Sequence, residues 1–488
     1  MLRKVSQTLD IFRSFQFSRA WFEYNRPLLV RGAVLLVLVV AVFYMVPRVV
    51  VGEHMIPNLF VLGIFGAAGL LLLLRHPTLA LLAIVPASVA IPYGLGTGTE
   101  TVLPVSVLLV FLALGLWLLD MVVVKREFRL MPNRLVTAAL LLAASSLLSF
   151  AIGQIPWFYY QHAPITAQLG GTMLYVLAAA TFLVVAHCVT RKVLIWSVAA
   201  LIVLGGVYLF LRPISEYNYW LTWPVLRFYA NGSTGSLFWV WLLCIALAQL
   251  VFNRSMHLPL RIGIGAVLVA FLYNAFVMGR DWTSGWLPPM LGAGVILFLA
   301  SKNFRIPLLL GGLLVLVVNF DQIRSIVMVG DNEYSLMTRL DAWLIMFKII
   351  AVSPILGVGP ANYYFLTPLF PIRGYSVQFN SHNNYIDLLA QTGIVGFGIF
   401  IWLLVEVILL GMRMRNQVAD SFERALVYGV IGGTVGSLAA GMLGDWVIPF
   451  VYNVGFAGFR ASLLGWFFMG ALLGLYRITK AKPDAQVA

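Results

Sequence analysis

Three arginines and one histidine stand near the ends of apolar runs in this sequence, where they could act together on an anionic substrate. Arg280 separates the ninth and tenth runs, and Arg227 precedes the eighth. His382 begins the twelfth run, and Arg339 lies in the long segment before it. A guanidinium group matches two phosphate oxygens, and a histidine near neutral pH can accept or orient a hydroxyl proton. The pattern therefore predicts a site for a phosphate-bearing lipid and a hydroxyl acceptor.

Each of these residues also has a simpler interpretation. Arg280 could snorkel to the interface or pair with the aspartate that follows it. Arg339 could be the solvated edge of its helix, and Arg227 could be an interfacial anchor. The ring of His382 could be solvated beside a helix cap at Ser381, although a helix N-terminus there would add positive potential to an anion site.

Familiar soluble-enzyme motifs are absent from the sequence. No lysine follows a GxxxxG pattern, and neither HExxH nor GxSxG occurs. Asp331 and Glu333 could hold a divalent cation, but a solvated turn is the commoner explanation. The two cysteines, Cys188 and Cys244, lie in apolar runs and form no metal pattern. We therefore expect neither a metal nor a cofactor.

The composition is that of a membrane protein. Hydrophobic residues make up 61% of the 488 residues and charged residues only 10%, against about 45–50% and about 25% in soluble proteins. These values exclude a water-soluble enzyme, a disordered chain and a nucleic-acid-binding domain. The net charge of +14 would suggest a nucleic-acid partner in a soluble chain. Here the basic residues lie between apolar runs, so we expect membrane lipids as partners and no nucleic acid.

Apolar runs of about 20 residues predict an all-α, polytopic membrane protein with about 14 transmembrane helices. The predicted spans begin near Pro27, Leu59, Thr78, Val102, Leu135, Gln168, Val193, Gly235, Ile262, Trp282, Ile306, Asn384, Ala425 and Gly458. Three of these runs are short for a membrane span, so the count carries an error of about one or two.

The distribution of arginine and lysine predicts the orientation. With the N-terminus inside, the inner segments hold 22 basic residues and the outer segments 9, which is the bias expected from the positive-inside rule. We therefore predict a cytoplasmic segment at 1–26, one membrane domain at 27–477 and a cytoplasmic tail at 478–488. The candidate residues then lie on the outer side of the cytoplasmic membrane.

One outer segment, 321–382, is exceptionally long. Long ordered loops are usually functional, and this one contains a helical pattern after a cap at Ser335. The pattern predicts a short amphipathic helix in the outer interface. Its apolar stripe is formed by Leu336, Leu340, Trp343, Leu344, Phe347 and Ile350.

Few charges fall inside the predicted spans. Arg31, Asp120 and Glu406 come nearest, and the two acids lie toward the cytoplasmic ends of their runs. Ion-coupled carriers usually keep ionisable groups near the midplane of the membrane. The polar candidates gather at the outer ends of helices instead, which favours binding or chemistry at the outer surface.

These motifs resemble those of the O-antigen ligase and O-antigen polymerase superfamily. The matching residues are the segments Pro354–Gly359 and Ser381–Leu389, Gly393 and Gly396, Arg339 with Trp343, Arg280 at the start of a span, and Arg227 with Asn231 and Gly232. The resemblance covers about residues 227–410. It departs from the family pattern at Met278 and Gly279, where serine-rich residues are common.

The resemblance implies a metal-independent glycosyltransferase of the bacterial cytoplasmic membrane, with a donor glycan carried on undecaprenyl diphosphate. Arg280 and Arg339 would hold the diphosphate and stabilise the charge of the leaving group. His382 would activate or orient the acceptor hydroxyl for attack with inversion at the anomeric carbon. The substrate-binding residues implied by the family are Arg227, Arg373, Asn362, Asn383 and Tyr385.

The same donor chemistry serves two reactions within this family. Ligation to a glycan, lipid or protein acceptor and polymerisation of repeat units both fit the sequence, and the His382 motif with its long loop favours a ligase. A transporter or flippase of lipid-linked sugars would also need a basic outer site. It further predicts a polar path through the membrane and internal symmetry, neither of which the sequence shows.

Overall fold

The computed structural model describes residue 69 and residues 77–98, 101–156, 162–318 and 333–480. The chain divides into two compact units, residues 1–77 with 115–129 and residues 78–114 with 130–488. The predicted N-terminal segment 1–26, the first two predicted spans apart from residue 69, and the start of the long outer loop lie outside the described residues. The last helix runs to Lys480, three residues past the predicted boundary at 477.

The described residues are mostly helical. The helices are α1 (Pro77–Ala90), α2 (Val105–Leu119), α3 (Arg134–Ile152), α4 (Ile165–Cys188), α5 (Arg191–Tyr217), α6 (Tyr219–Leu226), α7 (Ser236–Phe252), α8 (Leu258–Tyr273), α9 (Thr283–Ala300), α10 (Lys302–Val318), α11 (Glu333–Val352), α12 (Tyr363–Leu366), α13 (Asn384–Met414), α14 (Ser421–Leu443) and α15 (Gly455–Lys480). An antiparallel hairpin of β1 (Gly94–Gly96) and β2 (Val102–Pro104) pairs Leu95 with Leu103.

Nine helices in the described ranges are long and apolar enough to cross a membrane. This confirms the predicted class, an all-α polytopic membrane protein. It does not confirm the predicted count of 14 transmembrane helices. Helices begin within four residues of the twelve predicted starts from Thr78 onward. The agreement follows from run length, because a helix needs about 20 apolar residues to cross the hydrocarbon core.

The first unit is described only at residues 69, 77 and 115–129. There the end of α2 continues as a π-helical turn, Asp120–Val124. Asp120, one of the few charges near a predicted span, forms an ion pair with Lys125 at 2.6 Å. Both side chains are exposed, so the pair contributes little to stability.

The second unit is a bundle around four well-buried helices, α4, α7, α14 and α15. α7 and α9 pack on α14, and α4 packs between α3 and α15, while α13 contacts α3, α14 and α15. Of the most apolar stretch of α15, 94% is buried inside the protein, and of that of α4, 78%. α8 and α10 instead expose leucine, isoleucine and valine side chains, as expected for lipid-facing helices.

Small residues allow α14 to pack closely on its neighbours. A Cβ on Gly432 would lie 2.7 Å from the carbonyl oxygen of Gly292 in α9, and one on Gly433 would lie 2.5 Å from the ring of Trp241 in α7. Without a hydrophobic driving force between helices in lipid, such close contacts are a main source of association energy. The glycines of α14 thus hold the centre of the bundle together.

The helices α7, α9, α13 and α15 all begin at one end of the bundle, which we call the site end. It comprises the segments 227–235, 279–284, 353–384 and 444–456. Ser236 at the start of α7 donates to the carbonyl of Ser284 in α9. The side chain of Asn384 accepts from the backbone N–H of Val447 at 2.7 Å, which links α13 to the loop before α15.

Ion pairs tie the helices together at the opposite end. Arg191 pairs with Asp420 at 2.8 Å and with Glu423 at 3.1 Å. Glu406 lies between Arg134 and Arg413 at 3.5 and 3.6 Å. Arg134 and Arg191, which are predicted to lie on the inner side of the membrane, therefore connect separate helices at this end.

The observed helix α11 differs in length and contacts from the short amphipathic helix that the sequence predicts. α11 spans 20 residues from Glu333, so Ser335 lies inside the helix and does not cap it. Of the predicted stripe, Leu344 and Phe347 are exposed, as an interfacial face requires. A second apolar stripe packs on the protein and is formed by Ala342, Ile345, Met346 and Ile349.

Candidate functional site

The structure brings the predicted residues to the site end on separate segments. Arg227, Arg280, Arg373 and His382 are exposed there. Arg339 lies in α11 one helical turn before Trp343, and its side chain is outside the described residues. The predicted cations therefore come from four different parts of the bundle.

His382 occupies an unusual backbone conformation. Its φ is +48°, and it is exposed between Ser381 and Asn383, which are both buried. A non-glycine residue with a left-handed φ is uncommon and tends to occur at functional sites. The imidazole is thus presented at the surface from a bend whose two flanking residues are fixed in the interior.

Hydrogen bonds from three helices hold this bend in place. The hydroxyl of Ser381 accepts from the backbone N–H of Asn383 at 3.1 Å and donates to Oδ1 of Asp387 at 2.7 Å. The Tyr363 hydroxyl donates to the same carboxylate oxygen at 2.6 Å. The indole N–H of Trp343 donates to the carbonyl of Ser381 at 2.9 Å. The bend is therefore positioned by α11, α12 and α13 together.

The hydrogen bond from Tyr363 joins two buried groups. Burial and the neighbouring carboxyl of Asp387 raise the pKa of Tyr363 well above its usual range, so its hydroxyl stays protonated and remains a donor. The other oxygen of Asp387, Oδ2, has no hydrogen-bond partner in the described part of the chain. The Tyr363–Asp387 pair acts as a support beneath the bend.

The cap of α13 corrects one sequence interpretation. The side chain of Asn383, not that of Ser381, accepts from the backbone N–H groups of Tyr385 and Ile386, at 3.0 and 3.4 Å. The first turn also carries the buried Asp387, whose position suits the positive end of the helix dipole. The start of α13 therefore offers less free positive potential than the sequence suggests.

Two of the predicted substrate-binding residues use their side chains within the protein. Asn383 caps α13 and donates to the carbonyl of Met442 at 3.4 Å. The hydroxyl of Tyr385 donates to the carbonyl of Leu438 at 2.5 Å. Both contacts fix α13 against the end of α14, beside His382.

A buried acid near His382 escaped the sequence analysis. Asp445 accepts from the backbone N–H of Phe450 at 2.8 Å and from the side chain of Asn453 at 2.7 Å. Burial raises the pKa of Asp445, while these hydrogen bonds and the charge of His382 lower it. Its electrostatic coupling to His382 gives the imidazole an acidic neighbour. No motif marked this residue, because its proximity depends on how the α14–α15 loop folds.

Arg280 lies in the turn that precedes α9. The turn is closed by a hydrogen bond from Gly279 N–H to the carbonyl of Asn274, at 2.9 Å. The indole N–H of Trp286 donates to the carbonyl of Arg280 at 3.0 Å. These contacts fix the backbone of Arg280 and leave its side chain exposed.

A second arginine, Arg212 at the end of α5, lies beside this turn. A Cβ on Gly279 would be 3.8 Å from Nη2 of Arg212, and the Arg212 guanidinium stands over the ring of Trp239 at 5.6 Å. The sequence places Arg212 only as an outer basic residue. The fold brings it next to Arg280, which depends on the packing of α5 against α8.

The cations of the site end have few acidic partners. Within the described ranges, no ion pair joins Arg212, Arg227 or Arg280 to a carboxylate within 4.0 Å. The alternative that Arg280 pairs with Asp281 is therefore not observed. Guanidinium groups left without carboxylates are available to bind an anionic ligand.

Arg227 begins a short 3₁₀ turn, Arg227–Tyr229, after α6. Its guanidinium lies over the ring of Phe228 at 5.1 Å. The Asn231-Gly232 pair that follows has left-handed φ values of 58° and 76°, and the Asn231 side chain donates to the carbonyl of Pro92 at 3.0 Å. These two residues shape and anchor the turn that carries Arg227.

Arg373 forms an ion pair with a helix that carries another candidate residue. Its Nε donates to Oδ2 of Asp341 at 3.0 Å, and Asp341 lies in α11 two residues after Arg339. Arg373 also has a left-handed φ of 49°. The pair holds the loop after α12 against α11.

Asn362 is buried and bonded entirely to the backbone. Its side chain accepts from the N–H of Ala163 at 3.1 Å and donates to the carbonyls of Gly153 and Val358 at 3.0 and 2.9 Å. All of these partners lie at the ends or connections of other helices. The observed contacts of Asn362 support the shape of the site end.

The motif Pro354–Gly359 lies across a break in α13. Gly393 in that helix has φ 63° and ψ −170°, a region of backbone space open essentially to glycine alone. The N–H of Ile394 donates to the carbonyl of Pro354 at 2.8 Å, and the N–H of Val358 donates to the carbonyl of Ala390 at 2.9 Å. The crossing segment thus satisfies backbone groups that the break releases, as an irregular backbone in a membrane requires.

Comparisons with protein-family models and with curated proteins find no match for this chain. The resemblance drawn from the motifs therefore stays a prediction. The local geometry gives physical reasons for the motif residues themselves, since Ser381, Gly393 and Asn231 each have a role in positioning the site end.

Proposed function

We propose that this protein is a glycosyltransferase that moves a glycan from a polyprenyl diphosphate to an acceptor hydroxyl at the outer face of a cytoplasmic membrane. The observation that carries the proposal is the exposed His382, held on a bend by buried side chains and placed at the same end as several arginines. Catalytic groups need fixed geometry, and here the supporting contacts come from three helices.

In the proposed reaction, the acceptor hydroxyl oxygen attacks the anomeric carbon of the donor sugar. The bond between that carbon and the diphosphate oxygen breaks, and the diphosphate leaves with the bonding electron pair. His382 accepts the hydroxyl proton or orients the hydroxyl, and the configuration at the anomeric carbon inverts. In its ionised form, Asp445 would favour the charged imidazolium that proton transfer forms.

Arginines stabilise the leaving group in this proposal. Negative charge develops on the diphosphate as the bond breaks, and guanidinium groups bind such oxygens in pairs. Arg280 and Arg339 carry this role by resemblance to the family. Arg212, which lies beside the Arg280 turn, is an additional candidate, and Arg227 and Arg373 remain candidates for contacts with the diphosphate or glycan.

The placement of buried acids supports surface chemistry over ion-coupled transport. Among the described residues, Asp387 lies in the first turn of α13 and Asp445 in a loop at the site end. Glu406 and Glu423 pair with arginines at the opposite end. Carriers typically keep such groups near the middle of their spans.

Reconstituted protein tests the proposal. Liposomes would contain the full chain, a polyprenyl-diphosphate-linked glycan and a hydroxyl acceptor, without nucleotide or added metal. We expect sugar transfer, reduced by about 10²–10³ in His382→Ala, Arg280→Ala and Arg339→Ala, the typical effect of removing one positioned donor. Arg254→Ala, which removes an exposed arginine at the opposite end, should keep normal turnover.

The products of that assay also separate the alternatives. Transfer of intact chains to an unrelated acceptor indicates a ligase, and growth of the donor-linked chain indicates a polymerase. Movement of the donor across the bilayer without any product would contradict the enzyme proposal and favour a flippase.

A further inference from the structure

A buried arginine at the site end has no role in the proposed reaction. Arg460 lies in the second turn of α15 and is only 1% exposed. Its Nη1 donates to the backbone carbonyls of Ala230 and Asn231, the latter at 3.1 Å. Its Nε and Nη2 are also buried and have no hydrogen-bond partner among the described residues.

The state of Arg460 is energetically unfavourable without a further partner. A guanidinium stays charged in proteins, and a buried charge is costly unless it is paired and hydrogen-bonded. No ion pair involving Arg460 occurs in the part of the chain that the structure describes. The two carbonyl contacts involve Nη1 alone, so the three N–H donors on Nε and Nη2 of the guanidinium are left unsatisfied among the described residues.

A second buried donor without a partner lies in the loop before α15. The indole N–H of Trp446 has no hydrogen-bond partner in the described ranges. A Cβ on Gly235 would lie 3.2 Å from the Trp446 ring and 3.4 Å from Ala461, the residue after Arg460. The Trp446 atom next to Gly235 is the ring carbon Cζ3, while its Nε1 faces Gly444. The buried donors available to a ligand beneath the turn 230–232 are therefore those of Arg460.

The cover over Arg460 is thin. The two carbonyls that it binds belong to Ala230 and Asn231, which are both exposed. Asn231 and Gly232 adopt left-handed φ values, so the backbone of this turn departs from regular structure. A ligand would reach the guanidinium by displacing this turn, which is anchored by the hydrogen bond from Asn231 to the carbonyl of Pro92.

We propose that Arg460 forms a buried oxyanion-binding site beneath the turn 230–232, which takes a phosphate or carboxylate group. Nη1 keeps the turn in place, and Nε and Nη2 donate to the anion. This site is separate in role from the proposed catalytic groups and does not depend on glycosyl transfer. The anion could be a free phosphate or the phosphate of a lipid headgroup, which share the same recognition chemistry.

The full chain in nanodiscs of zwitterionic lipid tests this site, with inorganic phosphate as the probe and thermal unfolding as the readout. We expect a saturable rise in Tm with phosphate, because a ligand that binds only the folded state stabilises it. In Arg460→Lys, one ammonium can replace the carbonyl contacts of Nη1 but not the paired donors. We expect its apparent affinity for phosphate to fall at least tenfold, with a phosphate-free Tm near that of the wild type.

Two controls separate this site from others. Arg477→Lys makes the same change in the same helix at the opposite end, where Arg477 donates to the carbonyl of Val189, and should bind phosphate as the wild type does. Arg280→Gln should keep the Arg460-dependent response even if it abolishes transfer. Wild-type phosphate affinity in Arg460→Lys, or an equal loss in Arg477→Lys, would overturn the proposal.

The lipid source is distinguished by adding phosphatidylglycerol to the nanodiscs. If a headgroup occupies the site, the wild-type Tm rises relative to Arg460→Lys without phosphate, and further phosphate adds nothing. If free phosphate is the ligand, phosphatidylglycerol has no effect on that difference. A wild-type protein that responds to neither anion would also overturn the proposal, which keeps the test decisive if Arg460→Lys does not fold.

Discussion

The role proposed for His382 depends on its neighbours as much as on its own chemistry. An exposed imidazole on a flexible loop would be poorly positioned for proton transfer. Ser381 fixes one side of the bend through its hydroxyl, and Asn383 fixes the other as the cap of α13. The left-handed backbone of His382 is thus maintained by buried hydrogen bonds whose combined strength exceeds the local strain.

Removing the Ser381 hydroxyl should weaken this positioning. In Ser381→Ala, Asp387 keeps only the hydrogen bond from Tyr363 and the N–H of Asn383 loses its acceptor. We expect kcat to fall about tenfold or more with little change in KM. The imidazole would be misplaced, while the arginines proposed to bind the diphosphate of the donor substrate would remain. Ser255→Ala, which removes a hydroxyl at the opposite end, is the control, and an unchanged kcat in Ser381→Ala would contradict this role.

Asp445 should make stability depend on pH. Burial raises the pKa of its carboxyl above the ordinary value of 3.8, so the folded chain holds this proton more strongly than the unfolded chain. The resulting stability is full below about pH 4 and is lost as pH rises through the raised pKa. The loss amounts to about 1.4 kcal/mol for each tenfold difference in proton affinity between the folded and unfolded chains.

Thermal unfolding between pH 4 and pH 8 measures this effect. The Tm of the wild type should fall relative to that of Asp445→Asn as the pH rises, because the variant lacks the titrating group. Parallel pH profiles for the two proteins would show that burial does not raise the pKa of Asp445.

At the scale of elements, the break in α13 connects two motifs that are distant in sequence. The crossing segment 354–359 donates to and accepts from the backbone on both sides of Gly393. A Cβ on Gly393 would lie 2.2 Å from the carbonyl oxygen of Ile355. The glycine is therefore required both by its backbone angles and by the close approach of a second stretch of backbone.

Gly393→Ala should destabilise the protein by at least about 1–3 kcal/mol, the usual cost of such a backbone conformation for other residues. The matched control is Gly398→Ala in the same helix, where an added Cβ meets nothing within 4 Å. Denaturation of the purified variants in detergent would compare them. Equal stability of the two variants would refute the close approach at Gly393.

At the scale of the whole molecule, alternating helices separate two kinds of polar chemistry. The opposite end uses arginines in ion pairs with Asp420, Glu423 and Glu406. The site end keeps Arg212, Arg227 and Arg280 without carboxylate partners among the described residues. Ion pairs thus connect helices at the opposite end, whereas Arg212, Arg227 and Arg280 at the site end form no ion pair within the described ranges. Arg373 differs from these three, because it pairs with Asp341.

Cysteine labelling tests the predicted orientation of these ends. Tyr375→Cys places a thiol at an exposed position of the site end, and Lys192→Cys places one at the opposite end. In spheroplasts of a bacterial host, a membrane-impermeant maleimide should label the first variant and reach the second only after lysis. The unmodified chain, with Cys188 and Cys244, controls for background labelling. The reverse labelling pattern would show that the predicted orientation is wrong.

The sequence by itself determined the class of the protein and, to within four residues, the starts of twelve helices from Thr78 onward, because run length and composition are local properties. It also placed Arg227, Arg280 and His382 at helix ends, since the positions of charges relative to apolar runs can be read directly. Only the tertiary structure decided the approach of Asp445 to His382, the position of Arg212 beside Arg280 and the burial of Arg460. Those features depend on which distant segments pack over a residue, and no local pattern encodes that information.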